Sequence, residues 1–352
     1  MRVVFISNYF NHHQKPLCDA LHSLCGDDFV FISTKAMNAE RKTLGWGEPE
    51  NVGYVSDYYD NPGKCDELIE NSNVIIIGSS AINVVGKYSL NGKACFRYQE
   101  RPVKYRSVIK SVPRFVKWHC QNPARKHIYL LCASAYTSYD YSRYGLFKDK
   151  AFKWGYFPET KHYDINSLLN NKATDSMLWC GRFLDLKHAD DAIATAARLK
   201  NEGYSFTLKI IGSGENEAHL KKLAEEYELS DCVVFMGTMS PEHVRKHMEE
   251  AGIFLFTSDY GEGWGAVLNE AMNSGCAVVA SHAAGATPYL VNDGENGYIY
   301  TSGNLSMLYE KVKAVLDNPD IQSKMGRAAY LTVTQQWNAE DAAVRLLRIS
   351  DE

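Results

Sequence analysis

The sequence lacks the features that mark several large classes of protein. No C-x-x-C pair occurs, and the nine cysteines (Cys18, Cys25, Cys65, Cys95, Cys120, Cys132, Cys180, Cys232 and Cys276) are scattered and odd in number. This argues against structural zinc and a disulfide framework, and for a reducing compartment with the cytoplasm as default. No apolar run approaches the ~20 residues a membrane-spanning helix needs. The longest, such as Val74-Ile-Ile-Ile77 and Ile128-Tyr-Leu-Leu-Cys132, suit buried strands. Met1-Arg-Val-Val-Phe-Ile6 opens directly as a strand, so no secretory signal is expected. There is no internal repeat and no low-complexity tract. Positive charge is not in excess, with 38 Lys and Arg against 42 Asp and Glu and a net charge of −4, so no nucleic-acid partner is expected.

What is present is a globular composition, 45% hydrophobic and 23% charged over 352 residues, sufficient for about two domains of ordinary size. Strand-like apolar runs alternate with helical patterns, which favours parallel sheets covered on both faces. In the first half, strands are expected at Val3–Ser7, Phe29–Ser33, Val74–Gly78, Ile128–Ser134 and Ala151–Trp154, with helices at Pro16–Cys25, Cys65–Asn71, Tyr105–Trp118 and Tyr139–Tyr144. Pro158 closes this half, and Lys161–Thr174 reads as a polar linker. The second half predicts strands at Ser176–Cys180, Phe206–Ile211, Cys232–Met236, Ile253–Thr257, Ala277–Ala280 and Tyr298–Tyr300. Helices are expected between them at Ala189–Glu202, Glu217–Tyr227, Pro241–Glu250 and Trp264–Ser274, and after them at Leu305–Leu316. Ser240-Pro241 supplies a cap and a first helical residue. Pro319 and Asn338 mark the starts of two further helices.

The most specific signal is Glu262-Gly-Trp-Gly-Ala-Val-Leu-Asn-Glu270. It lies between two segments that read as buried parallel strands. Both carboxylates therefore fall in one βαβ unit, at the strand ends where open α/β sheets bind ligands. Gly263 and Gly265 permit close backbone approach. A helix starting near Trp264 would present free amides and its positive dipole end to the same space. A sugar joined to phosphate would use all of this, hydroxyls on the acids and phosphate on the amides. On the residues alone, the alternative is a solvated helix start with two surface glutamates.

These residues resemble the E-x7-E signature of glycosyltransferase family 4, retaining enzymes of the GT-B fold. Gly285-Ala-Thr-Pro-Tyr-Leu-Val-Asn-Asp-Gly-Glu-Asn-Gly-Tyr-Ile299 is similar to that family's G-x-x-E-x-V-x-x-G-x-x-G-x-L pattern, with Tyr289 near the place of its acid. Gly181-Arg182-Phe-Leu-Asp-Leu-Lys187 resembles its G-R-x-x-x-x-K. The likeness is nearly continuous from about Leu178 to Tyr300 and loose before that. It implies two Rossmann-like, doubly wound parallel-sheet domains facing across a cleft. An acceptor-side domain would cover residues 1–160, with 338–352 packing back on it, and a nucleotide-sugar domain would cover 174–335. The implied reaction moves a sugar, with retention of configuration, from a nucleotide-diphosphate donor to a glycan or lipid-linked glycan in polysaccharide biosynthesis.

By the same resemblance, Arg182 and Lys187 would take the charge growing on the leaving diphosphate. Glu262 would contact donor-sugar hydroxyls and Glu270 the ribose, while the amides around Trp264, Gly265, Ala266 and Val267 meet phosphate or sugar oxygens. Gly212, in Ile211-Gly-Ser-Gly214, and the backbone of Met236 and Gly237 would receive the nucleotide and its base. Asp-x-Asp is absent, and two cations with a helix N-terminus can neutralise the leaving group, so neither metal nor cofactor is expected.

The N-terminal half carries weaker signals. Asn8, His12 and His13, in a loop after the first strand, could bind acceptor or phosphate, or serve as ordinary satisfied polar residues. Glu100 and Arg101 are further acceptor-side candidates. Arg97, Arg101, Lys104, Arg106, Lys110, Arg114, Lys117, Arg125 and Lys126 are interleaved with aromatic and aliphatic residues over 97–126. Such a segment could lie on the anionic inner face of a membrane, or pack as solvated helices. Two other readings stay open, a sugar-nucleotide epimerase on the same fold and a non-catalytic glycan-assembly partner.

Overall fold

The computed structural model describes residues 1–37, 52–78, 81, 92–104, 111–122 and 127–351. The chain divides into two compact units, Met1–Glu159 together with Ala339–Glu352, and Thr160–Asn338.

The first unit runs β1 (Val3–Ser7), α1 (Lys15–Cys25), β2 (Phe29–Ser33), β3 (Val55–Asp57), α2 (Pro62–Glu70), β4 (Val74–Ile77), β5 (Ala94–Gln99), α3 (Ser111–Gln121), β6 (Ile128–Cys132), α4 (Thr137–Ser142) and β7 (Ala151–Lys153). The strands form one parallel sheet in the order β3-β2-β1-β4-β5-β6-β7. β1 and β4 are buried along their whole length, as expected of central parallel strands rich in Val and Ile. Two strands escape the sequence reading. Val55-Ser-Asp57 holds a single apolar residue and is half-buried throughout, and Ala94–Gln99 is interrupted by Arg97.

That arginine corrects the expected basic surface. Arg97 is only 3% exposed; its Nε donates to Asn122 Oδ1 at 3.1 Å, and burial lowers its pKa. Arg101 is likewise committed inward, its Nη2 lying 3.3 Å from Asp140 Oδ1. Trp118 is buried. Arg106, Lys110, Arg125 and Lys126 lie outside the described residues. Lys104, Lys117, Phe115 and Val116 are exposed, with Arg114 half-buried.

The second unit begins with α5 (Ile165–Asn170) inside the expected linker, capped by Asp164 Oδ1, which accepts from the amides of Asn166 and Ser167. It continues through β8 (Ala173–Cys180), α6 (Ala189–Asn201), β9 (Thr207–Ile211), α7 (Glu217–Glu226), β10 (Val233–Gly237), α8 (Pro241–Glu250), β11 (Ala251–Phe256), α9 (Ala266–Asn273), β12 (Ala277–Ser281), α10 (Thr287–Leu290), β13 (Tyr298–Tyr300), α11 (Leu305–Leu316) and α12 (Pro319–Gln335). The sheet is parallel, in the order β10-β9-β8-β11-β12-β13. α8 starts as anticipated, with Ser240 Oγ accepting from His243 N at 3.4 Å. The last helix, α13 (Ala339–Asp351), buries Ala342, Ala343 and Leu346 and packs against α1 of the first unit.

In each sheet the strand order reverses at one point, between β1 and β4 and between β8 and β11. Helices leave such a point in opposite directions, which opens a crevice beyond the carboxyl ends of the two strands. The turn from β11 into α9 depends on Gly265, whose φ is +96° and where an added Cβ would lie 2.3 Å from Phe256 Cζ. Gly265→Ala combines left-handed strain with overpacking, so a loss of about 2–4 kcal/mol is expected. A lower urea midpoint at unchanged m-value checks it, and an unchanged midpoint would show that Phe256 gives way freely.

Candidate active site

The site is built where β8 and β11 end side by side. β8 delivers Cys180, Gly181 and Arg182, and a short 3-10 turn at Asp185–Lys187 follows. β11 delivers Thr257, Ser258 and Asp259, followed by Glu262. The two loops are tied together by buried polar bonds. Trp179 Nε1 donates to Thr257 Oγ1 at 2.8 Å, and that hydroxyl donates to the Lys187 carbonyl at 2.6 Å. The Asp259 amide donates to the Leu186 carbonyl at 2.9 Å.

Across this junction Lys187 Nζ forms an ion pair with Glu262 Oε2, the side chains being 17% and 14% exposed. Ser258 Oγ donates to the same oxygen at 3.2 Å. Two residues that the family resemblance singled out, from separate motifs, thus meet directly. Arg182 stands differently: it is exposed, and its guanidinium has neither hydrogen bond nor ion pair among the described residues. Glu270, half-buried on α9, reaches the same strand ends. Desolvation pushes the Cys180 thiol up to about 12, with the Glu270 charge adding to the rise and Lys187 opposing it.

The remaining donor-side candidates are placed as follows. Ala266 and Val267 occupy the first turn of α9, whose amides have no acceptor within the helix. The helix begins at Ala266 and not at Trp264, whose side chain belongs to the core. It is fully buried, stacks on Trp337 at 5.7 Å and 13°, and donates from Nε1 to Asn269 Oδ1 at 2.8 Å. Gly263 is buried between Glu262 and this ring. Tyr289 packs beside both indoles. Gly212 sits with φ +139° where a Cβ would fall 1.9 Å from the Gly181 carbonyl oxygen, so loop packing already demands glycine there. On the edge strand β10 the register passes from Phe235 to Gly237, leaving Met236 as the extra residue of a bulge outside the ladder. The Gly237 carbonyl accepts from the Gly212 amide at 2.9 Å.

The N-terminal candidates lie in the first unit. The loop after β1 is held by Ser7 Oγ donating to Asn8 Oδ1 at 3.1 Å, Gln14 Nε2 to Ser7 Oγ at 3.1 Å, and the His13 amide to Asn11 Oδ1 at 3.0 Å. The His12 and His13 rings are 3.9 Å apart. Glu100 accepts from Tyr156 Oη at 2.7 Å, and Arg101 lies over the Tyr136 ring as well as beside Asp140.

Sequence reading missed several residues that shape the donor side. Arg245, 6% exposed on α8, donates to the Glu270 carbonyl at 3.1 Å and to Asn273 Oδ1 at 3.0 Å, fixing the C-terminal end of α9. His188 lies between two carboxylates, with Nε2 at 3.5 Å from Asp259 Oδ2 and Nδ1 at 3.8 Å from Asp190 Oδ1. His188, Asp190 and Asp191 bring ligand-type atoms within 4.8 Å of one another, a grouping that no spacing announced. First-turn acids are also what a helix N-terminus favours electrostatically.

Residues 162–332, nearly the whole of the second unit, match the model of the family described as glycosyl transferases group 1. Amylovoran biosynthesis glycosyltransferase AmsK of Erwinia amylovora is 33% identical over 137 residues, or 38% of this chain and 33% of that protein. The GDP-mannose-dependent alpha-(1-6)-phosphatidylinositol monomannoside mannosyltransferase of Mycobacterium tuberculosis is 27% identical over 171 residues, or 47% of this chain and 44% of that protein. The chain thus spans less than half the length of these curated relatives. Among solved structures, Anabaena Alr3699/HepE in complex with UDP aligns with a TM-score of 0.72 at 16% identity, covering 100% of both chains. Together with the two parallel sheets, this defines the fold as GT-B, with two Rossmann-like domains.

The α6 end of the site has a measurable electrostatic signature. Asp191 is 8% exposed, and burial with the Asp190 charge raises its pKa from 3.8 to about 6, against the pull of His188. Beside it the fully buried Tyr300 hydroxyl has no hydrogen-bond partner among the described residues, and burial with the Asp191 charge raises its pKa. A carboxyl whose pKa is raised by folding binds its proton more tightly in the native state. The neutral form's contribution is complete below about pH 4 and is lost as pH rises through about 6. Asp191→Asn should therefore raise stability at pH 7 by on the order of 1 kcal/mol, an advantage that disappears near pH 4. Thermal melts of both proteins across that range check the sign.

Proposed function

We propose that this protein is a glycosyltransferase that moves a sugar, with retention of configuration, from a nucleotide-diphosphate donor to a glycan or lipid-linked glycan of a polysaccharide pathway. The observation that carries the reading is the meeting of Lys187 with Glu262 beside the unengaged Arg182, at the strand-order reversal of the unit that matches the group 1 model. Arg182 offers a planar fork and Lys187 a point charge, a suitable division on a diphosphate. On donor binding, Lys187 would exchange Glu262 for a phosphate oxygen, releasing that carboxylate toward the hydroxyls of the donor sugar. Glu270 would take the ribose and the first amides of α9 the phosphate or sugar oxygens. The bulge at Met236 and the turn at Gly237 would hold the base through the backbone.

As the glycosidic bond breaks, negative charge grows on the leaving phosphate, where Arg182, Lys187 and the helix terminus can receive it without a divalent ion. The departing phosphate can in turn help deprotonate the acceptor hydroxyl, which suits a retaining transfer without a dedicated side-chain base. No described helix is long and apolar enough to cross a membrane. The exposed pair Phe115 and Val116, next to Lys117 on α3, supports peripheral contact with an anionic inner membrane face if the acceptor is lipid-linked.

Arg182→Ala should lower kcat by about 10²–10³, the usual effect of removing a preorganised donor to transition-state charge, with Tm nearly unchanged because the side chain is exposed. A thermal-shift screen of UDP, GDP, ADP and their sugar conjugates identifies the donor. A ligand at 100 times its Kd adds about 2.7 kcal/mol, and that gain should shrink in the variant. Activity should persist in excess chelator; loss restored by magnesium or manganese would overturn metal independence. Donor alone giving a new sugar nucleotide would favour epimerisation, and absence of any nucleotide response a non-catalytic partner.

A further inference from the structure

The candidate diphosphate and sugar groups sit on two separate loops, and the Lys187–Glu262 pair that joins their side chains is the bond a donor must break. Something else has to hold the loops in register while that exchange takes place. The backbone bond from Asp259 N to Leu186 O and the Thr257 hydroxyl on the Lys187 carbonyl fix the loop bases. Beyond them His188 faces Asp259, whose Oδ1 accepts the Gly261 amide at 2.6 Å and whose carbonyl accepts the Glu262 amide at 3.1 Å. Asp259 is therefore the residue that shapes the turn leading to Glu262, and His188 is the side chain from the opposite loop that reaches it.

His188 holds this position at a backbone cost. Its φ of 48° and ψ of 51° lie in the left-handed region, between the Asp185–Lys187 turn and the first residue of α6. That region favours glycine and is uncommon for other residues, histidine being among those that enter it more readily. The ring lies between Asp190 on its own helix and Asp259 on the other loop, and its side chain is only 35% exposed.

We propose that His188 is a positioning residue, its ring set against Asp259 so that it keeps the Lys187 and Glu262 loops aligned when Lys187 leaves Glu262 for the donor phosphate. The inference rests on the proposed transferase reading for its effect on turnover, while the loop alignment itself is a property of the free protein.

The left-handed backbone makes the test unusually clean. His188→Gly removes the ring and relieves the strained φ, so its Tm should equal or exceed that of the wild type. Its kcat should nevertheless fall by about tenfold or more, since small misplacements of reacting groups are costly, while the donor KM changes far less. Asp259→Asn keeps an oxygen for the Gly261 amide but loses the charge that faces the ring; it should lower kcat similarly, and the double variant should be no worse than either single one. In the free protein, treated with chelator so that no stray cation bridges His188 and Asp190, the amides of Asp259 and Glu262 should exchange hydrogen on the order of tenfold faster in His188→Gly. Unchanged exchange overturns the positioning role whether or not an activity has been found. With an active wild type, a kcat within about twofold in His188→Gly, or additive effects in the double variant, overturns it too. A wild type inactive with every donor, yet showing the faster exchange in the variant, would count against the transferase reading and leave the positioning role standing.

Discussion

The parallel pairing of β8 with β11 is the constraint on which the donor side depends. Met177 lies opposite Ile253 and Leu178 opposite Phe254, and from that register the two strands reach their carboxyl ends together. Chain segments distant in sequence, one ending in Arg182 and Lys187 and the other in Glu262, arrive at one point only because the strand order turns there. Everything local follows from that adjacency. Trp179 can reach Thr257, Thr257 can reach the carbonyl of Lys187, and the ammonium of Lys187 can reach Glu262. A sheet wound in one direction would place other strands between these ends.

The charges there are deployed unequally. Lys187 and Glu262 neutralise each other in a largely enclosed setting, where an isolated charge would be expensive. Arg182 waits in solvent, where it needs no partner. A doubly charged anion entering this space meets one cation already available and a second held by a replaceable carboxylate. The free protein thus avoids an unpaired buried charge on Lys187, and on the proposed reading it still keeps two positive groups for a diphosphate.

Much of this was legible in the sequence because it rests on periodicity and on glycine. The central strands β11 and β12 of the second unit are nearly continuous apolar runs, and α8 starts at a recognisable cap, Ser240. Glu262 and Glu270 could be placed at a strand end and on the next helix from the strands around them. Contacts made across the sheet were not legible. Nothing in the neighbourhood of Lys187 announces that His188 will face Asp259, nor that Arg245 will bind the end of α9, since both depend on which strands become neighbours. Within the basic segment, charge counting cannot see that Arg97 is enclosed within a strand and held by Asn122. The sequence places a helix start near Trp264, whereas α9 begins at Ala266 and the Trp264 ring packs inward on Trp337.

The discontinuity of the first unit bears on how the protein is made. Its last helix, α13, belongs with residues near the start of the chain and packs against α1, yet it is synthesised after the whole of the second unit. As the chain leaves the ribosome, the second unit is contiguous and can close as soon as α12 has emerged. The first must wait with the α1 surface uncovered, its sheet formed but one helix short. The contiguous second unit can therefore complete its fold before the first, although most of the first is translated earlier. Truncation within the last dozen residues would strike the N-terminal unit and spare the unit that matches the group 1 model.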